Sequence, residues 1–311
     1  MRDLISSSYK IDATELVAFD EVYYIDHGKT FTYIIPVGDE KHTIFFHLLK
    51  FISASPNFKH LFTVDNKPTI LIHDTHFFVL SSTVKLHQTI TAAQLNPPVL
   101  YQAAYPFAAH FKTRWLYKNQ IHEQNLNLAL DKTPPMMKSI LFDLATYYTH
   151  LNEEAYRLVK PLATATFTAS LCHVRLKPDT PLSQFFMPTY LTLDNRSRVH
   201  CEYLRHLYLE SNDLGQVEKL VARIARTEAL NLAEWQFLYA RLYFPTHFYD
   251  IVYDIITSGQ VSLENLYEQT MTYSKLLASL PPLVQKYTNL NLELPEWTKL
   301  DTFFHSGNSD F

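Results

Sequence analysis

Apolar and polar positions follow different patterns at the two ends of the chain. Over the first 85 residues, runs rich in β-branched and aromatic residues flank short polar turns, which is typical of β-hairpins. The run from Leu16 to Val37 surrounds an Asp-His-Gly-Lys turn, and the run from Lys67 to Val84 surrounds an Asp-Thr turn. Between them, apolar residues recur every three or four positions from about 40 to 53, which predicts a helix. The predicted order is strand, strand, helix, strand, strand.

Helical periodicity dominates after Pro97-Pro98. Prolines separate the helical segments, because proline starts a helix readily and interrupts its interior. The proline-broken segment 169–194 predicts loops and small strands, on which functional residues are often found. The aromatic stretch 234–256 has helical spacing and is interpreted as core. The predicted helices cover residues 99–129, 136–159, 199–210, 213–226, 231–257 and 261–288, with breaks at Pro106 and Pro245.

These elements predict an α+β protein with two lobes. We expect a small β-rich lobe with one helix over residues 1–88, a larger helical lobe over 89–300 and a flexible tail over 301–311. A chain of 311 residues is also longer than the roughly 250 to 300 residues at which single cores stop growing. This layout is typical of protein-kinase-like phosphotransferases.

Composition limits the classes of partner. Lys and Arg number 27 against 31 Asp and Glu, and the basic residues are scattered, so the chain lacks the basic stripe that nucleic acid attracts. The N-terminal segment has no apolar signal-peptide core, and no window approaches the roughly 18 to 20 apolar residues of a membrane span. Two cysteines give no disulfide framework. We therefore expect no nucleic acid, no membrane and a cytoplasmic protein.

Spacing argues against several kinds of site. The five glycines lie too far apart to form GxGxxG or a Walker loop, and neither HExxH nor GxSxG occurs. His73 and His76 flank a turn without an obvious third ligand, so we expect exposed turn histidines. Cys172-His173 and His200-Cys201 contain the residue types of a zinc site, but neighbours in an extended segment point to opposite faces. Buried structural cysteines are the favoured interpretation.

The segment 169–205 resembles the catalytic region of kinase-like small-molecule phosphotransferases. That group, which includes aminoglycoside and choline kinases, carries His-Gly-Asp in its catalytic loop and a metal-binding Asp after a later strand. This chain has Cys172-His173-Val174-Arg175 at the first position and Leu193-Asp194 at the second. The closer resemblance is to the YutH spore coat proteins, a CotS-related branch in which Cys-His-x-Arg replaces His-Gly-Asp. Similar stretches are WLYKNQIHEQNL (115–126), LATYYTHLNEEA (144–155), DNRSRVHCEYLR (194–205) and RLYFPTHFYDIVYDII (241–256).

The resemblance implies a degenerate phosphotransferase site. Arg175 stands where a working enzyme has its carboxylate base, and a guanidinium cannot take the substrate proton. The strand from Phe31 to Val37 lacks the lysine expected to contact the α and β phosphates, and Lys29 and Lys41 lie outside that strand. The anchoring Asp of the following helix is replaced by Val199. The nearby Glu40 lies at a helix N-terminus, where the helix dipole favours an acidic residue.

Asp194 leaves two interpretations open. It resembles a retained metal ligand, and Mg²⁺ bound by one carboxylate and phosphates keeps much of its water shell. Alternatively, Asp194 and Asn195 cap a turn before the helix that is predicted from 199. Arg175 would then bind an anion or pair with Asp194, and the internal ion pair is the simpler hypothesis.

The resemblance implies a spore-coat-associated pseudokinase of the mother-cell cytoplasm, with a structural or assembly role and with spore coat or other proteins as partners. His173 and Arg175 mark its degenerate catalytic loop, and Asp194 marks the metal position. No cofactor is expected, and ATP with Mg²⁺ is the ligand pair that a residual site would bind. Two alternatives stay open. One is an active small-molecule or protein phosphotransferase that recruits a base such as Asp179 or Glu202, and the other is a non-catalytic nucleotide-binding regulator.

Overall fold

The computed structural model describes residues 1–38, 42–86, 103–105, 107–164, 167–258 and 263–292. The chain forms two compact units. The first comprises Met1–Ala103 and Thr168–Val199, and the second comprises Ala104–Phe167 and His200–Phe311. The predicted helical lobe, residues 89–300, includes the segment 168–199. In the structure, the contacts of this segment group it with the first unit. The predicted boundary at residue 88 and the predicted tail from 301 lie outside the described residues.

The first unit is built on a six-stranded antiparallel sheet in the order β1-β2-β3-β6-β4, with β5 also paired to β6. The predicted helix between two hairpins is confirmed, and α1 and β4 are additional elements that periodicity missed. The elements are α1 (Arg2–Tyr9), β1 (Val17–Phe19), β2 (Val22–Asp26), β3 (Phe31–Val37), α2 (His42–Ala54), β4 (Phe58–Leu61), β5 (Ile70–Ile72) and β6 (Thr75–Ser82).

Residues with positive φ set the hairpin turns. Asp20 has a φ of 53° and lies in the turn between β1 and β2. The sequence pattern predicted one strand here, and this turn divides it into a hairpin. Gly28 has a φ of 81°, and its N–H donates to Asp26 Oδ1 at 2.7 Å within the β2–β3 turn. His73 and Asp74 have φ values of 46° and 62°, the pattern of a two-residue type I′ turn. The second predicted turn is therefore His-Asp rather than Asp-Thr, because β6 already begins at Thr75.

The core of the first unit lies on both faces of β3. This strand lies between β2 and β6, and Tyr33, Ile34 and Ile35 are fully buried. Helix α1 contributes Ile5 and Tyr9 to a cluster that includes Ile34. A central strand buried on both faces explains the almost continuous apolar run of its sequence.

Aromatic packing attaches the segment 168–199 to the first unit. The ring of Phe186 lies 4.7 Å from that of Phe58 and 6.3 Å from that of Phe51, measured between centroids. The backbone N–H of Ser183 donates to the carbonyl of Leu86 at 2.7 Å. The segment contains β8 (Phe167–His173), two short 3₁₀ helices (Leu182–Phe186 and Pro188–Tyr190) and β9 (Leu191–Asn195).

The second unit is helical over most of its described residues. The start of the helix that was predicted from 99 lies outside the described residues, residues Ala103–Tyr105 form the short strand β7, and α3 begins at Phe107. Proline at 106 disfavours a helical conformation at Tyr105, the last residue of that strand. Pro135 occupies the first turn of α4, and Pro245 separates α7 from α8 as predicted. The helices are α3 (Phe107–Lys132), α4 (Pro135–Val159), α5 (Ser197–Ser211), α6 (Leu214–Thr227), α7 (Leu232–Tyr243), α8 (Thr246–Ser258) and α9 (Leu263–Thr288), with a 3₁₀ turn at Lys160–Thr164.

Aromatic side chains form much of the core of the second unit. Trp235, Phe237 and Tyr243 of α7 are fully buried, and Phe248 of α8 is 1% exposed. The interpretation of the 234–256 stretch as core is therefore confirmed. Among the described residues, none of the helices combines the length and the apolar character needed to cross a bilayer.

Candidate functional site

The candidate site is the β8–β9 pair of the first unit, where the kinase-like resemblance places the catalytic loop and the metal position. The strands are antiparallel, and their register puts His173 opposite Leu191 and Ser170 opposite Asp194. His173 and Asp194 are thus separated by three positions along the sheet, or roughly 10 Å at about 3.4 Å per residue. At this separation the side chains of His173 and Asp194 contact different residues.

His173 is a buried structural residue, 1% exposed. Its ring stacks on Tyr190 with 5.8 Å between centroids and an interplanar angle of 2°. Its Nδ1 accepts the backbone N–H of Arg175 at 3.2 Å, so in the neutral ring Nε2 carries the proton and donates to Gln184 Oε1 at 3.3 Å. A hydrogen bond to Glu21, with burial adding to it, raises the pKa of Tyr190 to about 12. His173 thus fixes the start of the loop from inside the fold.

The loop after β8 contains Arg175 and Asp179. Arg175 is half-buried and Asp179 is exposed. The turn around Asp179 is closed by the N–H of Lys177, which donates to Thr180 Oγ1 at 2.8 Å. No contact in the described residues marks Asp179 as a base, and its recruitment for catalysis stays a prediction.

Asp194 is a buried carboxylate, 2% exposed, whose two oxygens bind groups of the same unit. Oδ2 accepts Arg198 Nη1 at 2.8 Å, and Oδ1 accepts the backbone N–H of Asn195 at 2.7 Å. Arg198 also donates through Nη2 to the carbonyl of Val174 at 3.0 Å and so joins β9 to the loop after β8. Asp194 thus forms an internal ion pair with Arg198, a partner that the sequence analysis did not name, and its hypothesised pairing with Arg175 stays a prediction.

Asn195, the residue after Asp194, makes the predicted turn contact. Its Oδ1 accepts the N–H of Ser197 at 2.8 Å, which is an Asx-type turn at the start of α5. Asp194 Oδ1 accepts the N–H of the next residue, Asn195, at 2.7 Å. The carboxylate therefore serves the pair with Arg198, and a Mg²⁺ ion approaching Oδ2 would compete with the guanidinium.

The other positions implied by the resemblance are apolar, exposed or outside the described residues. Strand β3 contains no lysine, and Lys29 lies exposed in the β2–β3 turn. Glu40 and Lys41 lie outside the described residues. Val199 is 3% exposed and packs as an apolar residue.

Each cysteine is buried in its own unit and is not in a disulfide. Cys172 Sγ lies 3.5 Å from the carbonyl oxygens of Ser170 and Asn195. Cys201 Sγ lies 3.8 Å from Arg205 Nη2. No group of three or more His, Cys, Asp or Glu side chains in the described part of the chain is arranged to hold a metal ion. The interpretation of both cysteines as buried structural residues is confirmed, and His73 lies exposed in its turn as expected. The same expectation is wrong for His76, which is half-buried in β6 and has its Nδ1 3.3 Å from Thr69 Oγ1.

Glu202, one of the two bases considered for an active enzyme, belongs to a buried ion pair of the second unit. It is 2% exposed, and its Oε2 accepts Arg205 Nη1 at 2.9 Å. Burial disfavours the charged form of Arg205, but the Tyr273 hydroxyl and the Glu202 carboxylate outweigh it and raise the pKa of the guanidinium above its usual value. A carboxylate held in this way is shielded from a dissolved substrate, which argues against the hypothesis that Glu202 acts as a base.

Sequence reasoning missed the importance of Arg198 and Arg205. Arg205 follows Glu202 by three residues on a helix whose neighbouring positions are apolar, and this i,i+3 spacing is the signal that was present. Arg198 follows Asp194 by four residues, but the strand end between them hid the pairing from a search for helical patterns.

Residues of three stretches that carry the resemblance meet in the core of the second unit. Tyr148 OH lies 2.7 Å from Thr270 Oγ1 and 3.2 Å from His247 Nε2. The ring of His247 lies 4.1 Å from that of Tyr273, which accepts a hydrogen bond from Arg205 Nε at 3.1 Å. Burial raises the pKa of both Tyr148 and Tyr273, so both hydroxyls stay protonated. These residues connect helices through one network.

Comparison with protein families identifies a spore coat family. The family model described as "Spore coat putative kinase YutH" matches residues 108–278, which is more than half of the 311 residues. The endospore coat-associated protein YutH of Bacillus subtilis (strain 168) is 29% identical over 138 residues, or 41% of this chain. The matched region spans 40% of that protein's length.

A solved structure confirms the predicted α+β, kinase-like fold. An aminoglycoside phosphotransferase from Alicyclobacillus acidocaldarius superposes with a TM-score of 0.63 at 13% identity, covering 92% of this chain and 97% of that one. An amicoumacin kinase solved with AMP-PNP and Ca²⁺ has a TM-score of 0.49 at 11% identity, covering 90% and 92% of the two chains.

Proposed function

The chain belongs to the YutH family of spore coat proteins, and on this premise we propose that it is a spore-coat-associated pseudokinase, which uses the kinase-like fold without transferring phosphate. Its role is structural or in coat assembly, in the mother-cell cytoplasm and then in the coat. Its partners are coat or other proteins. It uses no cofactor for catalysis.

The state of Asp194 carries this proposal. The resemblance gives this carboxylate the task of holding Mg²⁺, which requires oxygens open to a hydrated ion and to phosphate. Here Asp194 is 2% exposed and paired with Arg198 at 2.8 Å. Charge-assisted hydrogen bonds of this kind are strong, and removing one partner of a buried pair is strongly destabilising. Asp194 therefore stabilises the β9–α5 junction.

The catalytic-loop counterpart supports the same proposal. His173 is buried against Tyr190, so its ring faces the protein interior. Arg175 follows it where a carboxylate would accept the substrate proton, and arginine stays protonated in proteins. Strand β3 offers no lysine to the phosphates. The base and the phosphate contact are thus replaced, and the retained metal-ligand position, Asp194, is held in an ion pair with Arg198.

A thermal-shift titration with ATP, with and without Mg²⁺, tests the proposal. A nucleotide at about 100 times its Kd would stabilise the native protein by about 2.7 kcal/mol, which is a visible shift for a protein of this size. We expect no Mg²⁺-dependent shift and no transfer of γ-phosphate to protein, water or small acceptors. Asp194→Asn and Asp143→Asn form a matched pair, because Asp143 is an exposed acid on α4. A Mg²⁺-dependent shift that Asp194→Asn abolishes and Asp143→Asn keeps would refute the proposal.

Coat association has its own test. A fluorescent fusion of the full chain, expressed in the native host during spore formation, should concentrate at the surface of the developing spore. A fusion that stays evenly distributed through the mother cell would contradict the coat assignment and leave the result on phosphoryl transfer unaffected.

A further inference from the structure

The turn between β1 and β2 is bonded to the candidate site. Asp20 and Glu21 form this two-residue turn, because the register of the hairpin pairs Phe19 with Val22. The Glu21 carboxylate accepts a hydrogen bond from the hydroxyl of Tyr190, which lies 169 positions later in the chain. Both residues belong to the first unit. The contact therefore joins the first hairpin to the start of β9.

Tyr190 is also fixed to the loop after β8, through its backbone and its ring. Its carbonyl accepts the N–H of Val174 at 2.8 Å, and its ring stacks on that of His173 with an interplanar angle of 2°. The carbonyl of Val174 in turn accepts Arg198 Nη2 at 3.0 Å, and Arg198 is paired with Asp194. A continuous series of contacts therefore runs from the β1–β2 turn, across the loop, to the metal position.

The turn brings two negative charges to this loop. The hydrogen bond to Glu21, together with burial and the charges of Glu21 and Asp20, raises the pKa of Tyr190 to about 12. The hydroxyl therefore stays protonated and keeps donating at neutral pH. Carboxylates at a site repel phosphate groups, because like charges repel. Kinases cover the phosphates of ATP with a glycine-rich loop, whereas this turn consists of two acids and contains no glycine.

We propose that Asp20 and Glu21, held by the bond to Tyr190, form an autoinhibitory strap that closes the loop after β8 to phosphate-bearing ligands. The Tyr190 hydroxyl holds the strap in place, and the two carboxylates supply the repulsion. Glu21 is exposed and Tyr190 is half-buried, so the strap opens by local fluctuation and its opening can be measured. The inference rests on the proposed function in one respect, because it gives a physical cause for the expected absence of nucleotide binding.

Hydrogen exchange of the full chain tests whether the bond holds the turn. Tyr190→Phe keeps the ring on His173 and removes only the hydroxyl, so the amides of β1 and β2 should exchange about threefold faster or more. Tyr23→Phe is the matched control, because Tyr23 is a half-buried tyrosine of β2, and it should leave the rates unchanged. Glu21→Ala breaks the same bond, so combining it with Tyr190→Phe should add nothing to the larger single effect. Equal exchange in Tyr190→Phe and Tyr23→Phe, or multiplied effects in the double variant, would overturn the strap.

Calorimetric titration with inorganic tripolyphosphate at low salt tests the exclusion of phosphate. Tyr190→Phe leaves the net charge unchanged and should bind tripolyphosphate about threefold more tightly than the native protein, because the strap opens more often. Asp20→Asn/Glu21→Gln removes both charges and should bind it about tenfold more tightly. Asp65→Asn/Asp74→Asn is the charge-matched control, because it removes two exposed acids from other turns of the same unit. Unchanged affinity in Tyr190→Phe, including undetectable binding to every variant, would refute the exclusion, and so would equal gains in the two charge-neutralised proteins.

The failure of the strap and the failure of the proposed function give different results. Transfer of γ-phosphate by the native protein would refute the pseudokinase proposal, whatever the exchange rates of the β1–β2 turn. A turn that exchanges equally fast with and without the Tyr190 hydroxyl would overturn the strap. In that case a native protein without phosphoryl transfer would still be a pseudokinase, and the loss of the base and of the strand lysine would be sufficient to explain its inactivity.

Discussion

Replacing Arg205 by methionine should destabilise the second unit by about 3–5 kcal/mol, the usual effect of breaking a buried ion pair. Arg205 is 1% exposed, and each of its five N–H groups has an acceptor. Nη1 donates to Glu202 Oε2 at 2.9 Å and to Thr246 Oγ1 at 2.6 Å. Nη2 donates to the carbonyls of Arg241 at 2.6 Å and Phe244 at 3.1 Å, and Nε donates to a tyrosine hydroxyl at 3.1 Å.

The magnitude follows from what methionine leaves behind. Its side chain is unbranched and fills much of the same space, so the cavity contribution is small. The carboxylate of Glu202 stays buried without its cation, and two carbonyls lose charged donors. Hydrogen bonds to charged groups contribute about 1.5–3 kcal/mol each, but contributions within one network are not additive. The range for a broken buried pair therefore applies.

Urea unfolding measures the effect. Trp115 and Trp235 are buried in the second unit, so tryptophan fluorescence follows that unit. With an m value of about 2 kcal/mol/M, the midpoint should fall by roughly 1.5–2.5 M. Arg226→Met is the matched control, because Arg226 is an exposed arginine on α6 and its replacement should change the free energy of unfolding by less than about 0.5 kcal/mol.

The double variant Glu202→Leu/Arg205→Met sharpens the test. It removes both charges, so its destabilisation should be smaller than the sum of the two single effects by more than about 1 kcal/mol. An Arg205→Met protein that unfolds at the same urea concentration as Arg226→Met would refute the reasoning, and so would strict additivity in the double variant.

Two further predictions concern a helix cap and pH. Asn231 and Glu234 form a capping box at α7, in which Asn231 Oδ1 accepts the Glu234 N–H at 2.9 Å. Asn231→Ala should therefore lower the free energy of unfolding by about 1 kcal/mol in the urea assay. An unchanged midpoint would contradict this. Burial lowers the pKa of His60 below 6.5, although its hydrogen bond to the Pro68 carbonyl opposes the shift. The unfolded chain therefore binds a proton before the native chain does, and the stability of the first unit should be complete above pH 6.5 and fall as the pH drops below it. His60→Gln should flatten this dependence in hydrogen exchange at pH 7.5 and 5.5, and an unchanged dependence would exclude His60 as its source.

Local patterns predicted most elements because their causes are local. The hairpin around Gly28 follows from a turn that glycine adopts without strain, and the break between α7 and α8 follows from Pro245. The split of the first run into β1 and β2 was missed, because it depends on Asp20 adopting a positive φ, which aspartate does only occasionally. The grouping of 168–199 with the first unit was also missed, because it depends on the packing of Phe186 on the distant Phe58.

The candidate site was predicted less completely than the fold, because its main contact also depends on tertiary structure. The stretches that carry the family resemblance pointed to Asp194 and to the loop of His173 and Arg175 as its parts. They did not identify Arg198 as the cation bound to Asp194, because that contact needs the change of direction between β9 and α5. An ion pair across a turn leaves no periodic signal in the sequence.

Several of the stretches that carry the family resemblance are buried, so the resemblance gives more information about the fold than about the function. Arg205 and His247 belong to such stretches, and both are bound inside the second unit. A match based on such residues follows from the need to pack the same helices together, and packing is compatible with many activities. The case for a pseudokinase must therefore depend on Asp194 and its pair with Arg198, which directly concern metal binding. Nucleotide binding and coat localisation need separate measurement for the same reason, because neither follows from a shared core.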